Sequence, residues 1–171
     1  MAHLVNLWAD DQYVAVPTVT YEVGPKVRRH ADDVSLVNNL LRLVYFHHPP
    51  AGWPGKSLPP KNGHYTRTTD LFVCDWQKKK MGLPKAGGLV SPVPPTDTLG
   101  FSCASYTIAG LARAAVMLMD FDGDPDGWLT LIAELKKAPL LAHLDATLVT
   151  PPSPVTSEAA AGSATNEVSR N

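Results

Sequence analysis

Asn62-Gly63-His64-Tyr65-Thr66-Arg67-Thr68-Thr69-Asp70-Leu71-Phe72-Val73-Cys74-Asp75-Trp76-Gln77, followed by Gly82-Leu83 and Gly87-Gly88-Leu89-Val90, is the stretch that decides the fold. It reads as turn, helix, turn. Phe72, Val73 and Trp76 fall at the spacing that gives a helix one apolar face, and glycines on both sides end it. The helix is predicted over about Tyr65 to Met81. Lys78-Lys79-Lys80 in its last turn suits the negative end of the helix dipole, and Gly82 is a ready stop. The lysine run therefore has a structural explanation.

Upstream, residues 13 to 23 are β-branched and aromatic with partial alternation, which suits one or two short strands edged by Pro17. Gly24-Pro25 breaks them. A helix follows from Asp32-Asp33, with apolar residues at Val34, Val37, Leu40, Leu41 and Val44, and Pro49-Pro50 ends it after His47-His48. The segment from Pro49 to Pro60, which carries Trp53, is a loop. Downstream, residues 83 to 102 form a Pro- and Gly-rich connection longer than is usual between helices. Helices resume at about Ala104 to Met119, from Pro125 through Trp128, Leu129, Ile132 and Leu135, and after Pro139 through Leu140, Leu141, Leu144 and Leu148. The last two read as one helix kinked by proline.

These elements predict a mainly α fold: a small helical bundle with a short N-terminal β arm and a flexible C-terminal tail. The boundaries fall at 1–30 for the arm, 31–150 for the helical domain with its C-terminal extension, and 151–171 for the tail of Ser, Thr, Ala and Pro. A lone two-stranded ribbon is marginal in water, so the arm is expected to pair within this chain or to add to a sheet of a neighbour.

With 171 residues, 44% of them hydrophobic, the chain has enough material for one ordinary core. Fifteen basic and sixteen acidic side chains give a formal charge of −1, which argues against a nucleic-acid or anionic-membrane footprint. No stretch approaches the roughly 18 apolar residues of a membrane helix. Met1 to Trp8 lacks a basic segment followed by an apolar run, so no signal peptide is expected.

The spacing D/N-G-x-aromatic-x-x-x-T-x-x-apolar-apolar-x-x-aromatic-Q, then G-L and a glycine turn, resembles the peptidoglycan-binding-like domain family. The resemblance covers roughly residues 31–113. The family's first-helix pattern V-x-x-(L/V)-Q-x-x-L falls on Val34, Val37, Asn38 and Leu41, with Asn for Gln. Its D-G-x-(F/Y/W)-G-x-x-T turn falls on Asn62, Gly63, Tyr65, Thr66 and Thr69, with Thr66 for glycine. Its apolar pair and F-Q fall on Phe72, Val73, Trp76 and Gln77, and G-L-x-x-D-G-x-V on Gly82, Leu83, Gly87, Gly88 and Val90, with Gly87 for Asp. Thr107 and Leu111 take the closing T-x-x-x-L across an insertion of about ten residues. In chemical terms the N-G turn is expected to supply positive-φ positions, Thr69 to bond the turn backbone and Trp76 to fill a small core.

The resemblance implies a non-catalytic module that binds cell-wall peptidoglycan, accessory to a phage tail or a bacterial secretion particle. It implies residence in the bacterial cytoplasm before assembly and in the particle afterwards. Trp53, His64 and Tyr65, near the first turn, are the candidate ligand-binding residues, since aromatic faces suit sugars; for Trp53 and Tyr65 the alternative is that they cover the core from outside. The alternative function is a structural component of such a particle, with the arm and tail contacting neighbouring subunits and no glycan bound.

Other chemistry finds no pattern. Asp122, Asp124 and Asp126 with Gly127 imitate the start of a calcium loop, but position twelve is Ala133, Glu134 comes one residue late, and Pro125 stiffens the loop. Asp124 as cap and Pro125 in the first helical position explain the same residues. His47 and His48 are adjacent, about 100° apart on a helix, and the other histidines stand alone, so no zinc site and no enzyme is expected. Neither Ser35 nor Ser102 sits in a nucleophile motif. Cys74 and Cys103 lack metal spacing and read as buried thiols. No cofactor is expected.

Overall fold

The computed structural model describes residues 1–9, 12–27, 30–46, 57–94, 106–119 and 126–145. Two antiparallel strands, β1 (His3–Ala9) and β2 (Gln12–Thr18), open the chain, and helices α1 (Ala31–Tyr45), α2 (Arg67–Lys79), α3 (Thr107–Met119) and α4 (Gly127–Leu135) follow. The architecture is mainly helical, with one small hairpin. Among the described residues no helix is long and apolar enough to cross a membrane.

The strands pair with each other, from His3 opposite Thr18 to Ala9 opposite Gln12. Leu4 faces Pro17 in this register. Proline has no N–H to give, so a non-hydrogen-bonded pair is the position that suits it. Val5, Val14 and Val16 then share the face turned to the core, where all three are buried. The hairpin is thus a wall of the core and not a free arm; β2 packs on α3, α4 and α1. β1 lies outside the stretch where strands were expected, because Leu4, Val5, Leu7 and Trp8 crowd apolar residues onto adjacent positions and hide the period of two.

Helix α1 buries ten of its fifteen residues, including Val34, Leu36, Val37, Leu40 and Leu41. A helix apolar on nearly every side belongs at the centre, and α2, α3, α4 and β2 all pack around it. The acidic pair at its start does more than meet the helix dipole. Asp33, fully buried, accepts the backbone N–H groups of Thr20 at 3.0 Å and Tyr21 at 3.1 Å. Asp32 accepts that of Ala2 at 3.0 Å. The ends of the hairpin are therefore pinned to α1 by two carboxylates. His143 is 2.7 Å from the Ala2 carbonyl and ties the segment after α4 to the same corner.

Helix α4 ends at Leu135, and a single 3-10 turn, Pro139–Leu141, replaces the kinked continuation expected there. Ala138, in the position before the turn, is extended, as the residue before a proline tends to be. Leu141 and Leu144 are nonetheless buried in the common core. The expected tail at 151–171 and the expected cap at Asp124 lie outside the described residues.

Candidate ligand-binding surface

The surface around the first turn is built from one buried amide. Asn38 of α1 donates through Nδ2 to the carbonyls of Asn62 at 3.0 Å and His64 at 3.1 Å, and its Oδ1 accepts the Thr69 hydroxyl at 2.8 Å. Thr69 also completes a capping box at the start of α2: its hydroxyl accepts the Thr66 N–H, and the Thr66 hydroxyl accepts the Thr69 N–H, both at 3.2 Å. The side chain of Asn62 closes the turn by accepting the His64 N–H at 3.1 Å.

Gly63 does not need a positive φ here; among the described residues the glycines with one are Gly82 and Gly88. What it needs is room. A Cβ at Gly63 would lie 2.3 Å from the carbonyl oxygen of Ala31, so only glycine lets the turn rest on the start of α1.

A second turn repeats the device one helix later. Gln77 of α2 donates through Nε2 to the Leu89 carbonyl at 2.7 Å and to the Thr107 hydroxyl at 3.1 Å, while its Oε1 accepts the Gly88 N–H at 3.2 Å. In both cases an amide on one helix holds the turn that leads toward the next helix and reaches a threonine on that helix. The threonine lies 31 residues after Asn38 and 30 after Gln77. Leu83 donates to the Gln77 carbonyl at 3.0 Å across Gly82 (φ 65°), which stops α2 where glycine was expected to. Val23 and Val90 exchange backbone bonds at 2.9 and 2.8 Å and fasten the second turn to the segment after β2.

Of the residues expected to bind ligand, His64 and Tyr65 stand side by side but in different settings. His64 is exposed on a backbone fixed from both sides. Tyr65 is half-buried against the core, and its hydroxyl donates to Asp70 at 2.8 Å with the Gly88 carbonyl 3.4 Å away. It joins the two turns. Trp53 lies outside the described residues. Nearby, burial raises the pKa of the Cys74 thiol, and the Asp70 charge adds to the rise against the opposing charge of Lys78. A thiol held protonated is a poor nucleophile and metal ligand. Among the described residues no group of three or more His, Cys, Asp or Glu could hold a metal ion.

Beside the turn, at Lys61, begins an open groove of about 470 Å³ between the C-terminal parts of α1, α3 and α4. Leu43, Phe46, Leu118 and Met119 supply its apolar surface, and Asn39, Arg42 and Lys61 its polar end. Sequence reasoning passed over it. The available signal was that Leu43 and Phe46 are apolar yet fall off the core stripe of α1.

Comparison of the chain with protein-family models, with curated proteins and with solved structures gave no match.

Proposed function

We propose that the chain is a non-catalytic module that binds bacterial peptidoglycan as an accessory of a phage tail or secretion particle. The observation that carries this reading is the tandem of amide-held turns. Asn38, Thr69, Gln77, Gly88 and Thr107 occupy the positions that the resemblance to the peptidoglycan-binding-like family marks out, and they bond one another and the turns. A turn fixed in this way presents His64 with little ordering left to be done on binding, which favours recognition of a rigid polymer. Tyr65 braces the turn from beneath, and Trp53 is the further aromatic contact in this reading.

Sedimentation with purified peptidoglycan tests it. The full chain is expected in the pellet, with His64→Ala and Trp53→Ala each reducing the bound fraction severalfold at unchanged melting temperature. A chain that stays in the supernatant yet remains stably associated with a larger particle overturns the wall-binding reading and leaves the structural-component alternative.

A further inference from the structure

The groove between α1, α3 and α4 is amphiphilic, and its charge is not that of the whole chain. Its lining contains the cations Arg42, Lys61 and Lys137 and one acid, Glu134, which is ion-paired with Lys137. Among the described residues no carboxylate pairs with Arg42 or Lys61. Three helix C-termini converge nearby, each contributing about half a negative charge. Lys136, at the C-cap of α4, offsets part of this. Among the described lining residues three cations stand against one carboxylate, in a chain whose formal charge is −1.

The cations are placed for use. Arg42 donates through Nη1 to the Pro59 carbonyl at 2.7 Å, which orients the guanidinium while engaging only one of its N–H donors. Lys61 is anchored by its backbone, whose carbonyl accepts Asn39 Nδ2 at 3.3 Å, and its side chain is exposed. Next to them Phe46, 65% exposed, adds apolar surface to that of Leu43 and Leu118. A volume of about 470 Å³ is in the range of small-ligand sites. Asn39 spends its N–H groups on Ser35 and Lys61 and Glu134 is ion-paired with Lys137, so what the two walls offer a ligand is acceptor oxygens, which suit one with amide N–H groups better than a plain alkyl chain.

We propose that this groove holds the free carboxylate end of a short peptide. Arg42 and Lys61 receive the carboxylate, and Leu43, Phe46 and Leu118 cover an apolar side chain beside it. The proposal does not rest on wall binding and is tested apart from it.

The probes are N-acetyl-Ala-Ala-Leu with a free carboxylate, the same peptide as its C-terminal amide, and acetate, each titrated into the ¹⁵N-labelled full chain. The carboxylate peptide is expected to shift resonances of α1 and α3 at the groove, and the amide to bind about tenfold more weakly or worse. Lys61→Glu, whose side chain takes no part in the fold, is expected to abolish binding at unchanged melting temperature. Phe46→Ser is expected to weaken it severalfold. Equal affinity for the amide, saturation by acetate at the same concentration, or full affinity in Lys61→Glu would each overturn the proposal.

Discussion

Gly63 and Asn38 show how much hangs on single residues. Gly63 reads from sequence as a turn glycine chosen for its backbone freedom, yet its φ is not positive and its role is contact: the Ala31 carbonyl occupies the place of a side chain. Gly63→Ala is therefore expected to cost roughly 2–3 kcal/mol, since the clash is with backbone that cannot swing aside; urea denaturation measures it, and a loss under half a kcal/mol would contradict this account. Asn38 gives both its N–H donors to backbone carbonyls and accepts one hydroxyl through its oxygen. That a polar residue on α1 would be wholly buried was not legible, because its partners come from residues 62, 64 and 69, far along the chain. The same holds for Asp33, which local reasoning assigns to the helix dipole and the tertiary structure gives to Thr20 and Tyr21.

Among the elements, the helices were the legible part. Their apolar residues recur at helical spacing, and capping and glycine signals place α2 within two residues of where it was expected at each end. The long connection after α2 was not legible: it carries no period, and what orders it is Gln77, which holds Gly88 and Leu89 while Cys74 and Thr107 lie alongside. Gln77→Leu keeps the size and removes both hydrogen-bonding ends. It is expected to destabilise the fold by about 2–3 kcal/mol, since it leaves a buried N–H and a carbonyl without partners. Hydrogen exchange adds a local readout: the amides of Gly88 and Val90 should lose protection before those of α1. If their protection is unchanged, some other contact holds the second turn.

For the whole molecule, the core is one cluster that joins the hairpin to all four helices, and pH reports on its packing through Tyr45. Burial, with the hydrogen bond to Asp75 at 2.8 Å and the Asp75 charge, pushes the pKa of this phenol well above its ordinary value. The protonated form is favoured by the fold, so its contribution is fully present below the ordinary tyrosine pKa of about 10 and is lost as pH rises toward the folded value. Tyr45→Phe is expected to be less stable than the native chain by roughly 1–2 kcal/mol at pH 7. That gap should narrow between pH 10 and 11, and a gap that stays constant there would show that the phenol does not titrate on unfolding. The sequence by itself determined the helical character, the positions of α1 to α4 and the turns around α2, because periodicity, caps and glycines act within a few residues of where they stand. Only the tertiary structure decided that the β segment is a core wall, that Asp33, Asn38 and Gln77 are internal fasteners, and that Arg42, Lys61 and Phe46 share a groove. Those outcomes depend on which distant backbone groups and faces packing brings together, and no local signal encodes that.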